Sequence, residues 1–155
     1  YSHTELGTNA RMNELQAGIG IEQLKKLSFF TKERNRIAKL YLDLFEKYQI
    51  KLELPIIPKN INPSYFFFPI LIKKRNYIAS KLKEKFNIDT RIAYPTPLYN
   101  QPMYKKGEFI YKKNNCINAE NFCKKILNLP IFPNMKRKDI EMVVASLKRC
   151  QDGKF

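Results

Sequence analysis

The stretch GTNARMNELQAGIGIEQLKKL, residues 7–27, decides how this chain is interpreted. It opens with a glycine turn and places Asn9 and Arg11 just before an apolar-faced helix. The free backbone N–H groups at a helix start favour an anion, an Asn amide adds donors, and an Arg guanidinium adds a charged fork. The pattern therefore suits a phosphate or a carboxylate. On spacing alone, the alternative stays open that Asn9 only forms the turn and that Arg11 is a surface charge.

The same stretch predicts a helix, because apolar residues recur in it at nearly helical spacing. These residues are Met12, Leu15, Ile19, Leu24 and Leu27. Gly18 and Gly20 lie among them, although a Gly inside a helix costs ~1 kcal/mol relative to Ala. Two such glycines indicate that another backbone packs very close to this helix. Ser28 breaks the pattern and is predicted to cap a second helix.

Helical and extended patterns alternate along the rest of the chain and predict an α/β fold, an α+β small domain with several helices and a few short strands. Helices are predicted where apolar residues recur with helical spacing, around residues 37–48, 78–86, 118–127 and 140–147, with Asn118 as an N-cap. Strands are predicted in short apolar runs at residues 51–54, 65–72, 89–94 and 128–132. Pro69 lacks an N–H and should put its strand at a sheet edge or on a bulge.

A Pro- and Tyr-rich loop, YPTPLYNQPMYKKG at residues 94–107, follows the third predicted strand. Its prolines restrict the backbone and its tyrosines can pack, so we expect an ordered loop rather than a flexible one. Together with the start of the chain, this loop is where function is expected to lie.

Composition narrows the class of protein. The 155 residues, 44% of them hydrophobic, suit one globular domain, and we expect no membrane span and no signal peptide. The net charge of +15 invites a nucleic acid or an anionic membrane as partner. However, the positive charge comes from 22 Lys and only 7 Arg, and these residues are spread along the whole chain. Arg binds phosphate and guanine more specifically than Lys, because its guanidinium can donate two parallel hydrogen bonds. We therefore expect neither partner and keep a non-enzymatic basic module, binding an anionic partner such as nucleic acid, as the alternative.

Side chains suited to catalysis or metal binding are few. His3 is the single histidine, and neither a Ser/His/Asp arrangement nor the spacing of a Cys/His metal site is evident around it. Cys116, Cys123 and Cys150 form no CxxC pair, and we expect reduced thiols in a cytoplasmic protein. The sequence contains no P-loop and no GxGxxG. The residues by themselves therefore predict no catalytic residue and no metal ligand.

Four motifs, taken in order, resemble those of the DegT/StrS family of sugar aminotransferases. Residues 7–27, followed by ERNRIAKLYLDLF, are similar to the family signature GxNxRMxExQAAxGxxQLxxL with its following arginine and IAxxY. IDTRIAYPTPLYNQPMY resembles a segment with YPxPLHxQPxY, INAENFCKKILNLPIFPNM resembles xxAExxxxxxLxLPxxPxx, and DIEMVVASL fits the closing helix. The resemblance covers nearly the whole chain.

The resemblance implies a pyridoxal-phosphate enzyme of fold type I. Such an enzyme moves an amino group, usually from glutamate, to a keto carbon of a nucleotide-linked sugar, and it works as a homodimer with each active site at the subunit boundary. Asn9 matches an asparagine that reaches across the dimer to the cofactor phosphate. Arg11 matches an arginine near the nucleotide-sugar, also across the interface, and Tyr94 matches a tyrosine that lines the sugar site. Gly18 and Gly20 would then allow helices to pack closely where the subunits meet.

The chain also departs from the family pattern. In the family, the Schiff-base lysine lies upstream of the GxNxRM motif, so the resemblance implies a C-terminal portion that is inactive without an N-terminal domain. Residues 1–28 resemble the tail of the large cofactor-binding domain and residues 29–155 the small C-terminal domain. Alone, the chain should expose apolar surface that the missing domain would cover. Ala93 and Tyr99 stand where many members carry His, so the resemblance does not extend to the choice of sugar.

Overall fold

The computed structural model describes residues 10–105 and 116–154. The helices in this part are α1 (Glu14–Lys25), α2 (Leu27–Lys47), α3 (Arg75–Phe86), α4 (Pro102–Lys105), α5 (Ile117–Lys125) and α6 (Arg137–Asp152). The strands are β1 (Phe68–Leu71) and β2 (Ile126–Leu129), and a 3₁₀ turn (Leu98–Asn100) precedes α4. This mixture of helices and strands agrees with the predicted fold class.

The sheet is small and β2 lies inside it. β1 and β2 pair antiparallel along their whole lengths. On the far side of β1, Glu53 forms a single bridge with Leu71, and on the far side of β2, Arg91 forms a single bridge with Asn128. β2 therefore has neighbours on both of its edges.

The observed strands are shorter than the predicted ones or displaced from them. The strand predicted at residues 65–72 is shortened to β1, and the one predicted at 128–132 is replaced by β2, which begins two residues earlier. The strands predicted at 51–54 and 89–94 each form only a single bridge. The displacement has a simple cause. Ile126 and Leu127 continue the helical spacing of the preceding apolar residues, so a short apolar run here fits a helix and a strand equally well.

Pro69 explains why pairing beyond β1 stops at one bridge. Leu71 and Glu53 exchange both backbone hydrogen bonds, at 2.8 and 2.9 Å. Alternate residues of a strand direct their backbone groups to the same edge, so Pro69 faces this edge too. If the register of that bridge continued, Pro55 would pair with Pro69, and neither residue has an N–H to donate. The predicted edge position of Pro69 is confirmed.

The core lies where α2 and α6 pack on each other and on the sheet. Both helices bury one apolar stripe, and most of its residues are those that the helical spacing predicts. The buried apolar residues are Ile37, Ala38, Tyr41, Leu44 and Phe45 in α2, and Ile140, Val143, Val144, Leu147 and Cys150 in α6. Tyr48, at the end of the predicted stripe of α2, is exposed.

Tyr41 ties α2 to the segment that follows β2. Its ring stacks on Phe68, with 4.8 Å between the ring centroids, and its hydroxyl donates to the Pro130 carbonyl at 2.9 Å. Burial holds the pKa of Tyr41 well above its usual value. The hydroxyl therefore stays protonated and remains a donor inside the core.

Arg75 is a buried cation that joins α3 to the end of α5. Its Nη1 donates to the Ile126 carbonyl at 3.0 Å, and Ile126 is the C-terminal cap of α5. The guanidinium thus lies at the negative end of that helix dipole. Burial lowers the pKa of Arg75 below its usual value, so the contact offsets part of a desolvation cost.

Both predicted helix caps are wrong. Ser28 lies inside α2, whose N-cap is Lys26, and Asn118 lies inside α5, whose N-cap is Cys116. Lys26 has φ −94° and ψ −6°, close to helical values, so α1 passes into α2 almost without a break. No extended capping residue is needed at such a junction, which is why the local signal of Ser28 fails there.

Replacing Tyr41 with Phe should destabilise the chain, because the Pro130 carbonyl loses its buried donor while the ring packing is retained. We expect a loss of about 1–2 kcal/mol in the free energy of unfolding, measured by urea denaturation. Tyr48→Phe, at the exposed end of the same helix, is the matched control and should change this free energy by less than about 0.5 kcal/mol. Equal effects of the two substitutions would contradict a structural role for the buried hydroxyl.

Candidate functional site

The motif at the start of the chain lies only partly within the described residues. Asn9 is outside them, so its assignment stays a prediction. Arg11 is described and exposed, in the segment that leads into α1. Its guanidinium is therefore accessible to a ligand or to another polypeptide.

The first turn of α1 is closed by its own side chains. Asn13 accepts a hydrogen bond from the Gln16 N–H at 2.8 Å, and Gln16 accepts one from the Asn13 N–H at 3.1 Å. This reciprocal pair is a capping box, and it uses donors that the sequence alone leaves free for an anion. The helix end therefore has fewer free donors for an anion, and the anion-binding roles of Asn9 and Arg11 stay predictions.

α1 presents apolar side chains to solvent on several sides. Within the part of the chain that the structure describes, α1 buries none of its residues. Leu15 is 80% exposed and Met12, just before the helix, is 72% exposed. The other exposed apolar residues of α1 and its junction with α2 are Ile19, Ile21, Leu24, Leu27 and Phe29. A helix of this length is marginal alone in water, so this surface, which we call the α1 face, is suited to contact with another polypeptide.

Gly18 and Gly20 have open space around them in this chain. A Cβ built on either glycine meets no described atom within 4 Å. The close backbone contact that these glycines predict is therefore absent among residues 10–105 and 116–154. A close neighbour would have to come from polypeptide outside these ranges.

Tyr94 is presented to solvent on a constrained backbone. Its side chain is 72% exposed, and its φ of 57° lies in the left-handed region, which is uncommon for an aromatic residue. Residues held in such conformations cluster at ligand-binding sites. Tyr94 thus has the exposure and the backbone constraint that a ligand-contacting residue needs.

The loop that follows Tyr94 contains the 3₁₀ turn and α4, and its described part ends at Lys105; residues 106–107 lie outside it, and the order expected of the loop stays a prediction. Its backbone hydrogen bonds are Asn100 N–H to Pro97 O and Gln101 N–H to Leu98 O, both 2.9 Å, and Tyr104 N–H to Gln101 O, 3.1 Å. In addition, the Tyr99 hydroxyl donates to Glu120 Oε1 at 2.8 Å. Two turns and one side-chain contact therefore fix the loop.

A small cleft lies beside Arg91, a few residues before this loop, and was not identified from the sequence. It has a volume of about 240 Å³, and the Arg91 guanidinium carbon lies 5.2 Å from the centroid of the Phe67 ring. Asn128 forms another wall. Residues so far apart in the chain leave no local pattern, and the same is true of the contact between Tyr99 and Glu120.

The two predicted site residues that the structure describes, Arg11 and Tyr94, lie on different elements of the chain. Arg11 precedes α1, whereas Tyr94 follows the bridge at Arg91. Among residues 10–105 and 116–154, no hydrogen bond or ring contact joins Arg11 to Tyr94. That the two residues serve one pocket stays a prediction.

The same described ranges contain no group of three or more His, Cys, Asp or Glu residues arranged to hold a metal ion. Each helix within them is too short or too polar to cross a bilayer.

Comparison with known proteins identifies the protein family of this chain. Residues 1–148 match the DegT/DnrJ/EryC1/StrS aminotransferase family. This chain belongs to that family of aminotransferases, as its motifs predict.

Individual relatives match most of this chain but only part of their own length. The chain is 36% identical to the uncharacterized protein MJ1066 of Methanocaldococcus jannaschii, over 96% of this chain and 39% of that protein. It is 29% identical to the dTDP-3-amino-3,4,6-trideoxy-alpha-D-glucose transaminase of Streptomyces venezuelae, over 96% of this chain and 38% of that protein. The solved structure of DesV from S. venezuelae matches with a TM-score of 0.81 and 29% identity, over 96% of this chain and 39% of that one.

These matches confirm the expected fold, that of part of an aminotransferase dependent on pyridoxal phosphate. A solved relative from Bacillus cereus, 27% identical with a TM-score of 0.76, is described as a putative PLP-dependent aminotransferase. Pyridoxal phosphate is accordingly the cofactor expected for the family's complete proteins. The chain spans about 39% of the length of the first curated relatives.

Proposed function

We propose that this chain is the C-terminal part of an aminotransferase that moves an amino group from glutamate to a keto carbon of a nucleotide-linked sugar. The observation that carries the proposal is the family match over residues 1–148. Two relatives support the substrate class by their names: the dTDP-sugar transaminase of S. venezuelae and the UDP-N-acetyl-3-dehydro-alpha-D-glucosamine 3-aminotransferase of Acidithiobacillus ferrooxidans, 27% identical. Another, SpsC of Bacillus subtilis, is named for spore coat polysaccharide biosynthesis, and we place the product in such a pathway.

Pyridoxal phosphate, when bound, supplies the electron sink for amino transfer. The lysine that holds it needs a pocket that lowers its pKa, whereas every lysine whose side chain is described here is exposed or half-buried. The described residues therefore fit the surroundings of the cofactor better than its covalent anchor. For this reason we expect the chain alone to be inactive and the anchor to lie on an N-terminal domain.

The contribution of this chain is to bind and orient anionic ligands. Asn9 would donate its amide to the cofactor phosphate of the neighbouring subunit. Arg11 would donate two parallel hydrogen bonds to the nucleotide-sugar across the same interface, because a guanidinium matches the oxygens of a phosphate. The exposure of Arg11 supports this role.

Tyr94 would line the sugar site. Its ring can lie against the pyranose while its hydroxyl bonds a sugar oxygen, and its exposure leaves both free to do so. The loop structure supports this role, because a fixed backbone lowers the entropy lost when a ligand binds.

The α1 face would form the contact with the second subunit and with the large domain. We place the boundary between the domains near residue 28, so that residues 1–28 complete the large domain and residues 29–155 form the small one. The absence of buried residues in α1, within the described part, supports this division. The proposed substrates are metabolites of the cytoplasm, and we place the protein there.

The proposed reaction is tested by incubating the complete protein with pyridoxal phosphate, glutamate and dTDP- or UDP-linked keto sugars. We expect the amino sugar and 2-oxoglutarate in equal amounts, and none from residues 1–155 alone. If the complete protein leaves every such sugar unchanged while nucleic acid binds it with an affinity that falls steeply with salt, the reaction is wrong. That outcome would favour the basic binding module, which the net charge of +15 otherwise supports.

Asn9→Ala in the complete protein should weaken retention of the cofactor, because its phosphate loses a donor. A hydrogen bond to a charged group is worth about 1.5–3 kcal/mol, so the dissociation constant should rise roughly tenfold or more. Cofactor absorbance during dialysis measures this. Asn60→Ala in the connection before β1 is the control. Unchanged occupancy in Asn9→Ala would remove the assignment.

Arg11→Ala should raise the apparent KM for the nucleotide-sugar roughly tenfold or more, with little change in kcat, because the arginine binds a part of the substrate that does not react. Arg137→Ala, which removes an exposed ion pair with Glu141 on α6, should leave KM unchanged. A KM for Arg11→Ala equal to that of the unaltered enzyme would exclude this role.

Gly18→Ala should have opposite effects in the chain and in the dimer. In residues 1–155 it should raise helix content measured by circular dichroism, since Ala favours a helix by ~1 kcal/mol and the site has room for a Cβ. In the complete protein it should weaken dimerisation by about 1–3 kcal/mol, measured by sedimentation, because a closely packed helix would be pushed away. Equal dimer affinity with Gly and Ala would show that no helix packs closely at this position.

A further inference from the structure

Tyr99 and Glu120 join the Pro- and Tyr-rich loop to α5. The Tyr99 hydroxyl donates to Glu120 Oε1 at 2.8 Å, and both residues are half-buried. Glu120 lies in the first turn of α5, where the helix dipole favours a negative charge. A hydrogen bond that ends on a carboxylate is stronger than one between neutral groups, so this contact is suited to holding a loop.

α5 is itself fixed to the sheet. It runs directly into β2, and its buried Cys123 faces the interior. At its end, the Ile126 carbonyl accepts a hydrogen bond from the buried Arg75. A loop residue bonded to Glu120 is therefore held in a constant position relative to the core.

The loop is held at its other end by Arg91. The backbone groups of Arg91 and Asn128 exchange hydrogen bonds at 3.0 and 2.9 Å, and the Asn128 side-chain amide also donates to the Arg91 carbonyl at 2.9 Å. Tyr94 lies between this attachment and the one at Tyr99. With both ends fixed, few conformations remain open to the intervening residues.

We propose that Tyr99 and Glu120 are positioning residues that keep Tyr94 at the sugar site without touching the substrate themselves. The role of Tyr94 rests on the proposed function, whereas the attachment of the loop does not. The position of Tyr99 is the one at which the resemblance leads us to expect His. The difference matters because a phenol and an imidazole carry different charges near neutral pH.

Tyr99 makes the attachment insensitive to pH. Desolvation, together with the hydrogen bond to Glu120, raises the pKa of Tyr99 to about 12. Cys116 and Cys123 are the other titratable groups that act on it, and both act in the same direction. The hydroxyl is therefore a neutral donor throughout the physiological range. An imidazole in its place would gain a proton below its ordinary pKa of about 6.5 and would bind Glu120 best in acid.

The test measures hydrogen exchange of residues 94–105 in the complete protein without substrate, together with kinetics. Tyr99→Phe should speed loop exchange roughly tenfold, and Glu120→Ala should do the same, whereas Glu120→Gln should retain part of the protection because its amide oxygen still accepts. Tyr48→Phe and Glu141→Gln are the matched controls and should leave loop exchange unchanged. If the loop of Tyr99→Phe is protected from hydrogen exchange as well as that of the unaltered protein, the hydrogen bond between Tyr99 and Glu120 does not hold the loop.

Kinetics and pH separate positioning from a merely structural role. Tyr99→Phe should raise KM for the nucleotide-sugar several-fold with kcat little changed, and a KM that stays constant while the loop loosens overturns the positioning role. In Tyr99→His, Glu120 would raise the folded-state pKa of the imidazole above its unfolded value. Loop protection, corrected for intrinsic exchange rates, should then be greatest near about pH 6 and fall toward about pH 8, whereas it stays level with Tyr. If Tyr99→Phe speeds hydrogen exchange of the loop but the unaltered complete protein transfers no amino group, the attachment of the loop is supported and the proposed function is overturned.

Discussion

The pairing of β2 on both of its edges is the constraint on which the rest of the structure depends. All four residues of β2 are buried, so each of its backbone groups must find a partner inside the protein. The partners come from different parts of the chain: β1 on one edge and Arg91 on the other. At its ends, Arg75 donates to the first residue of β2 and Tyr41 to the carbonyl just beyond it. One short strand thus gathers α2, α3, α5 and the loop into a single unit.

An element could be predicted from the sequence when the residues that define it lie close together in the chain, and not when they lie far apart. α2 and α6 were predictable because a long apolar stripe recurs within each helix, and that stripe is what the core buries. β1 and β2 are four residues long and exist because they pair with each other, so no local pattern defines their ends. The cap at Ser28 failed for a related reason. Cap preferences are local, whereas the start of α2 is set by its nearly continuous junction with α1 at Lys26. Asn118 is not a cap because α5 begins one residue earlier, at Ile117.

The parts of the candidate site also differ in how well the sequence predicts them. The motif of residues 7–27 and the Pro- and Tyr-rich loop were recognisable because each is continuous in sequence. The contact of Tyr99 with Glu120 spans a separation of 21 residues, and that of Arg91 with Phe67 joins two different segments, so neither could be found without the fold. What the fold adds is the relation between the parts. It places Arg11 before α1 and Tyr94 after the bridge at Arg91, on separate elements of the chain.

Pro55 and Pro69, which lie near the outer edge of the sheet, have a consequence for solubility. Open sheet edges recruit strands from other molecules, and apolar segments at such edges can start fibrils. The flank here is apolar, with Ile56 and Phe66 largely exposed. A strand that pairs with this edge of β1 would find no N–H at Pro69, and one that pairs through Pro55 would find none there either, so neither strand could extend the ladder through these positions. An exposed apolar surface can in this way remain available to other polypeptide while the sheet edge beside it does not promote aggregation.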